Sequence, residues 1–507
     1  MIVTQSDVMR SIENSAEANG ISMEKLMENA GAKVAELAAK IISERKIKKV
    51  CILCGTGNNG GDGFVTARLL SGLCSVKVIM VSGEPKTVLA KMNFELLPDN
   101  IDALFYASRY YECIGIIKEA EMIIDAIYGI GFRGSLSADI ADIIAFCNEN
   151  RSAIKIAVDL PSGTVCDTGE IGGGCFFADY TVTFTALKPL HVLYPAADCC
   201  GKIIVESVGI PRRILRQSNF IMKTTDEFTA EYPLPQKPSS AHKGTNGTLL
   251  ALCGSYGMSG AAAMAAEAAL RTGVGLLKLA VPKSIYVILA SKLSEPVFMP
   301  LEQTPDGMTD IDEYGKIYDA IGSASAVLIG CGLGLNNNIK SLTALLAEGS
   351  TKPVVIDADG INAISSNINV LKRASAPIIL TPHPGEMARL IGTDVNTVQC
   401  NRYNIAKNFA QEYNVTLVLK GANTLVAVPE GRVYVNLTGN NGMAKGGSGD
   451  ILAGMIASLL AQGMNAEAAA VSAVYYHGLA GDSCTEKYSS RGMLPSDIIS
   501  ELKYIFK

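Results

Sequence analysis

Two glycine-rich stretches of this chain hold the residues best suited to chemistry. Near the C-terminal end, "NGMAKGGSGD" (441–450) sets Asp450 behind Gly446, Gly447 and Gly449, and the apolar run "ILAGMIASLL" follows at once. A helix starting near Asp450 would aim its unpaired N–H groups at whatever lies before it, with no side chain on the glycines to shield them. That is an anion pocket with an acid or base at its rim. Glycines also serve ordinary tight turns and aspartate is a common N-cap, so the motif alone leaves both readings open.

The other stretch, "CGTGNNGGDGFVTARLL" (54–70), passes from a strand pattern through glycines into a helix pattern, where backbone amides can meet a phosphate. It is not a G-x-G-x-x-G fingerprint: Asn58 and Asn59 intervene, and Asp62 adds a negative charge. A carboxylate and two amides there point to ribose or ring contacts, or to an ion. Asp125 in "IIDAIYGIGFRG" and Asp159 in "AVDLPSG" also follow strand patterns. In an open α/β sheet the carboxyl ends of strands converge on one crevice, so three such acids can share a ligand; each alone could equally cap a turn. Arg133 could clamp a phosphate approached by Gly129, Gly131 and Gly134, and a monovalent cation could be held by Asn59, Asp125 and a Ser162 oxygen. Further on, "LVLKGANTLV" (417–426) delivers Lys420 into a glycine turn, where it could reach a phosphate or simply be solvated.

These residues need elements to place them. From residue 50 onward the β-branched runs "VCILCG", "VKVIMVSG", "EMIIDAIYG", "IKIAVDLPSG", "YTVTFTALKP" and "KIIVESVGIP" alternate with helix-like stretches, the rhythm of a parallel sheet covered on both faces. A boundary is expected near residue 220, followed by the Pro-, Ser-, Gly- and Lys-rich stretch 231–247. Beyond it the strand patterns start afresh with "TLLALCG" and the alanine-rich helix "SGAAAMAAEAALRTG", which predicts a second α/β domain.

Composition narrows the class. The 507 residues are 48% hydrophobic and 18% charged, and no run reaches the roughly 18 apolar residues of a membrane span. The start carries neither a signal-peptide nor a transit-peptide pattern. A net charge of −5 gives no pull toward nucleic acid or anionic lipid, so small molecules are the expected partners. Thirteen scattered cysteines form no regular disulfide framework, which fits a reducing compartment, the cytoplasm. "CILC" (51–54) reads as core, since positions three apart face opposite sides of a strand. The four histidines, at 191, 242, 383 and 477, have no zinc-ligand spacing.

The motifs "LMENAG", "GTGNNGGDG", "DAIYGIGFRG" and "VDLPSG", in this order, resemble the epimerase domain of the bifunctional NAD(P)H-hydrate repair enzymes, over residues 1–215. That resemblance implies a Rossmann-like three-layer α/β/α domain. It further implies potassium at Asn59, Asp125 and Ser162, and Asp159 at the reacting C6 carbinol. Substrate contacts are implied from Asn58, Asn59, Gly60, Gly61 and Asp62, and from Gly129, Ile130, Gly131, Phe132, Arg133, Gly134 and Ser135. In residues 222–507, "HKGTNG", "GCGLG", "DADG", "LTPHPGEMARL", "KGANT" and "NGMAKGGSGDILAGM" resemble the ribokinase-like dehydratase domain of the same family, which acts on the (S)-hydrate. The resemblance places Ala261, Gly332, His383 and the base Asp450 around the hydrate. It places Lys420, Gly421, Ala422, Asn423, Thr424 and Gly449 around ADP or ATP with Mg2+, ADP giving AMP and phosphate. Expected partners are thus NADHX, NADPHX, the adenine nucleotide and other copies of the chain in a homo-oligomer. Two readings compete: a vitamin or sugar kinase in the second half, and a non-catalytic nucleotide-binding module in the first.

Overall fold

The computed structural model describes residues 1–234 and 239–506, and the chain divides into two compact units, Met1–Ile221 and Met222–Lys507. Residues 235–238 of the expected linker stretch lie outside the described residues. No described helix is long and apolar enough to cross a membrane.

In the first unit, helices α1 (Ser6–Ala18) and α2 (Met23–Arg45) precede a sheet of seven strands: β1 (Lys49–Cys54), β2 (Ser75–Met80), β3 (Asp102–Phe105), β4 (Met122–Ala126), β5 (Ile154–Val158), β6 (Tyr180–Phe184) and β7 (Lys202–Glu206). Helix α3 (Asn58–Leu70) follows β1. The strands are all parallel and run in the order β3-β2-β1-β4-β5-β6-β7. Alternate residues of each strand feed opposite faces. Ile52 and Cys54 pack with Val34 and Phe64 from α2 and α3, whereas Cys51 and Leu53 pack with Ile114 and Ile143 from helices on the other side. The result is a three-layer α/β/α sandwich. Both cysteines of "CILC" are fully buried on opposite faces. The chain order reverses between β1 and β4, which opens a crevice beyond their carboxyl ends.

The second unit is built on β8 (Met222–Thr224), β9 (Thr248–Leu252), β10 (Leu276–Pro282), β11 (Val297–Leu301), β12 (Ala326–Ile329), β13 (Val354–Ile356), β14 (Ile378–Leu380), β15 (Thr416–Leu419), β16 (Leu425–Ala427) and β17 (Val433–Val435). They run β8-β17-β16-β15-β14-β13-β12-β9-β10-β11. From β15 to β11 neighbours are parallel, while β15, β16 and β17 form an antiparallel meander. Helices α4 (Ser259–Thr272), α5 (Pro384–Ile391), α6 (Ser448–Ala461) and α7 (Ala466–Thr485) carry or support the site residues. Every residue of α6 from Ile451 to Ala461 is buried, the signature of a helix enclosed on all sides. Its close fit to α4 requires Gly454, where a Cβ would stand 2.2 Å from the Ala265 carbonyl oxygen.

One expectation fails. Cys175 and Cys199, 24 residues apart in loops of the first unit, are disulfide-paired, while the other eleven cysteines are free. Loop positions carry no periodicity from which such a pairing could be read.

Candidate active sites

In the first unit the crevice is a cleft of about 880 Å³. Its walls include Asn58, Asn59, Asp62, Asp159, the 129–133 loop and Ser135. Three residues, Gly55 to Gly57, turn the chain from β1 into α3, so the open amides of the helix face the cleft. Gly60 and Gly61, expected at the ligand, are inside α3 instead and do not line the cleft. A Cβ on Gly60 would stand 2.1 Å from the Gly55 carbonyl oxygen, and one on Gly61 would meet the Met27 sulfur at 2.6 Å. Close packing explains both. Gly134 is likewise off the cleft wall.

Asp159 follows β5 directly and holds φ of +64°, a conformation rare for a residue with a side chain. Its N–H donates to Val182 O at 2.8 Å, and His191 Nε2 donates to its carbonyl at 2.9 Å. This tautomer follows because His191 Nδ1 accepts from the Lys188 N–H. The Asp159 carboxylate accepts from Lys188 Nζ at 2.6 Å and Thr183 Oγ1 at 2.9 Å. Burial works against its charge, yet the Lys188 ammonium, aided by His191 and Thr183, holds the carboxyl below its ordinary value. Asp62 differs: burial raises its carboxyl well above the usual range, and Asp159 and Glu13 add to the effect. The cleft therefore sets a carboxyl held below its ordinary value beside one raised above it, the separation that acid–base chemistry uses. Lys188 escaped the sequence reading, because a lysine at the end of "YTVTFTALKP" looks like a solvated strand end.

Asp125 closes β4 behind the cleft, fully buried. It accepts from the Ser162 N–H and hydroxyl, each at 2.7 Å, and from the Ile127 N–H. Burial pushes its carboxyl up to about 6 despite these bonds. The Tyr128 peptide ties the set together: its N–H donates to Ser162 Oγ at 3.0 Å and its carbonyl accepts from Asn59 Nδ2 at 2.8 Å. Asn59, Asp125 and Ser162 are thus adjacent, a set of hard oxygens with one formal charge, which suits a monovalent cation. Arg133 departs from the clamp reading. Its guanidinium donates to Asp167 and Ser6, each at 2.7 Å, and to the Ile130 and Phe132 carbonyls, and so pins the loop.

In the second unit, Gly332, Asp357, His383 and Lys420 stand one to three residues past the ends of the adjacent strands β12, β13, β14 and β15. Gly332, with φ of +65°, lies against α4: a Cβ there would meet the Ala261 Cβ at 2.9 Å. Lys420 Nζ donates to Asp357 Oδ1 at 2.7 Å and lies 4.0 Å from Glu386. Burial disfavours the ammonium, but Asp357 and Glu386 prevail and raise its pKa. Gly421, with φ of +138°, packs on the Arg402 guanidinium, and the 421–424 turn closes through Thr424 Oγ1 donating to Gly421 O. His383 caps α5, its Nδ1 accepting from the Gly385 N–H at 3.0 Å, while its half-exposed side chain leaves Nε2 facing Glu386.

Asp450 stands in the first turn of α6, behind Gly447 with φ of +104°. A Cβ on Gly449 would lie 3.1 Å from Lys420 Nζ, which leaves only backbone between the lysine and the helix start. Ligand atoms of Asp450, Asp357 and Cys331 lie within 4.8 Å of one another. Burial, then the Asp357 charge, pushes the Asp450 carboxyl up to about 6, against the pull of Cys331 and Lys420. A carboxylate near that value is matched to accept a proton at neutral pH. Asp357 and Glu386 were not singled out in the sequence, although both sit in the quoted "DADG" and "LTPHPGEMARL" motifs.

Comparison with known proteins decides the family. A bifunctional NAD(P)H-hydrate repair enzyme of Moorella thermoacetica is 38% identical over 493 residues, covering 95% of this chain and 92% of that protein. The chain belongs to the bifunctional NAD(P)H-hydrate repair enzymes. A member of the same family from Escherichia coli is 34% identical across 98% of this chain and 92% of its own length. The family model for the YjeF-related protein N-terminus matches residues 23–190, and that for NAD(P)H-hydrate dehydratase matches residues 249–504. The crystal structure of a ribokinase-like superfamily protein from Enterococcus faecalis aligns with a TM-score of 0.50 and 26% identity, over 56% of this chain and 95% of that one.

Proposed function

We propose that residues 1–215 interconvert the epimers of hydrated NADH and NADPH at C6, and that residues 222–507 return the (S)-epimer to the dihydronicotinamide with ADP or ATP as co-substrate. The observation that carries the second half is Asp450, a carboxylate raised to about 6 mainly by burial, at the start of a buried helix and close to Lys420. Hydroxide leaves poorly. Asp450 takes the proton from the C6 hydroxyl as that oxygen accepts a phosphoryl group. The glycine-flanked amides of α6 then stabilise the transferring charge. Phosphate departs from C6 with the ring nitrogen's lone pair assisting, and a proton then leaves C5 to solvent so that the C5=C6 double bond of the dihydronicotinamide forms. Lys420, held by Asp357, meets the nucleotide phosphates, and Gly449 lets them approach. Asp357 would supply an oxygen to Mg2+, which would neutralise phosphate charge there, and so leave Asp450 to act as the base.

A pocket of fixed hand processes one epimer, which gives the first unit its task. There Asp159, kept ionised by Lys188, is the base at C6, and α3 offers its amides to the substrate's phosphates. Asn59, Asp125 and Ser162 would hold potassium, which would supply a fixed positive charge to the site. Eleven free cysteines against one pair support a reducing compartment, the cytoplasm. Incubation with the (S)-hydrate and ADP tests the reading. Dihydronicotinamide, AMP and inorganic phosphate should form in equal amounts, whereas a stable phosphorylated product would identify an ordinary kinase.

A further inference from the structure

We propose that Glu13, on the N-terminal helix α1, is a catalytic residue of the first site that gives a proton to the C6 oxygen of the hydrated nicotinamide. This assignment rests on the epimerase reading of the cleft and adds to it a residue outside the matched family region, which begins at residue 23. Met9, Arg10, Glu13 and Asn14 all line the cleft. Their spacing puts them on one face of a helix. The adjoining face is fixed: Met9, Ile12 and Ala16 belong to one buried cluster with Leu26, Val208 and Ile210. Helix α1 thus forms a rigid wall of the cleft, with Glu13 directed inward.

A glutamate on an amphipathic helix is ordinarily a solvated surface group. Glu13 is half-buried instead, and no hydrogen bond or ion pair engages its carboxyl among the described residues. Its charge neighbours come from every wall of the cleft: Asp159 and Lys188 from the end of the sheet, Asp62 from α3, and Arg10 from its own helix. Burial raises the carboxyl above its ordinary value, Lys188 and Arg10 pull it down, and Asp159 pushes it further up. Glu13 therefore keeps its proton to higher pH than a solvated glutamate, while Asp159 across the same cleft is ionised.

The step balances without a co-reactant. Glu13 gives its proton to the C6 hydroxyl, the C6–O bond breaks, the lone pair of N1 forms an N1=C6 double bond, and water leaves. Water then adds to the other face of C6, its proton passes to Asp159, and the electron pair returns to N1. Solvent returns the proton from Asp159 to Glu13.

The test uses the full-length chain with Glu13→Gln, Glu13→Asp and, for comparison, Asp62→Asn. Glu13→Gln is expected to lower kcat for epimerisation roughly 10²- to 10³-fold, with KM little changed, and to abolish the fall of kcat as pH rises. Glu13→Asp should restore part of the rate, and ADP-dependent dehydration of pure (S)-hydrate should stay at the unaltered level, which confirms a folded chain. A wild-type epimerisation rate in Glu13→Gln would overturn the proposal. So would a slower rate with the fall of kcat at rising pH intact, or loss of that fall only in Asp62→Asn. If the unaltered chain does not epimerise at all, the epimerase reading falls and takes this assignment with it; a defect confined to Glu13→Gln supports both.

Discussion

Lys188 Nζ lies 2.6 Å from Asp159 Oδ1, with side chains only 2% and 11% exposed. The same ammonium also donates to Thr183 Oγ1 and Phe184 O, so the pair is fixed from both sides. Removing one member leaves an uncompensated buried charge.

Lys188→Met should therefore destabilise the first unit by about 3–5 kcal/mol and stop epimerisation. Asp159→Asn combined with Lys188→Met should recover part of the stability and none of the activity. The Asp159 carboxyl is depressed in the folded state, so its contribution is present above the ordinary value of 3.8 and is lost as pH falls through the folded value. Thermal melts between pH 3 and 8 check this, and a wild-type melting curve for Lys188→Met would contradict it.

Asp450→Asn should lower dehydration by at least about 10²-fold and leave epimerisation intact. In the unaltered chain, kcat for dehydration should rise with pH through about 6 as the base ionises. The sign for stability is opposite. A carboxyl raised in the folded state binds its proton more tightly than the unfolded chain does, so folding weakens as pH rises from 3.8 to about 6. The asparagine variant should melt above the unaltered chain at pH 8. Loss of both activities would indicate one composite site.

His383 caps α5 through Nδ1 while its Nε2 faces Glu386, and two substitutions separate the roles. His383→Ala should lose about 1 kcal/mol of stability, while His383→Asn keeps a capping oxygen and the stability. Both should raise KM for the hydrate. Burial, with Lys420 and Arg389, lowers the His383 pKa, so the neutral cap is complete above the ordinary 6.5 and weakens as pH falls below it. Chemical denaturation of the two variants at pH 8 and pH 5.5 gives the comparison.

Exchange of potassium for a large organic cation should slow epimerisation alone, most strongly below pH 6, where Asp125 without a cation takes up a proton. Asp125→Asn should remove the cation dependence. An epimerase rate indifferent to potassium would reassign Asn59, Asp125 and Ser162 to a structural network.

Much of this was legible in the sequence, because strand-end aspartates and glycine turns are local signals. Asp62, Asp125, Asp159 and Asp450 all stand at sheet or helix ends, where a single side chain and its neighbours declare the geometry. Partners that arrive from elsewhere in the chain were not legible. Lys188 reaches Asp159 across 29 residues, and Asp357 reaches Lys420 across 63. Glycine was also ambiguous: Gly60 and Gly61 looked like ligand contacts, but their hydrogens face the Gly55 carbonyl and the Met27 sulfur. Arg133 matched a phosphate clamp by type, and Asp167, 34 residues away, claims it.

The central claim is a division of labour between two sites, and one time course tests it most directly. Mixed hydrate epimers with ADP and potassium should return all of the dihydronicotinamide absorbance in the unaltered chain, only the (S) fraction in the fast phase of Asp159→Asn, and no fast phase in Asp450→Asn, whose recovery should be slower by about 10²-fold or more. Full rapid recovery by Asp159→Asn, or recovery by Asp450→Asn at the unaltered rate, would contradict the account.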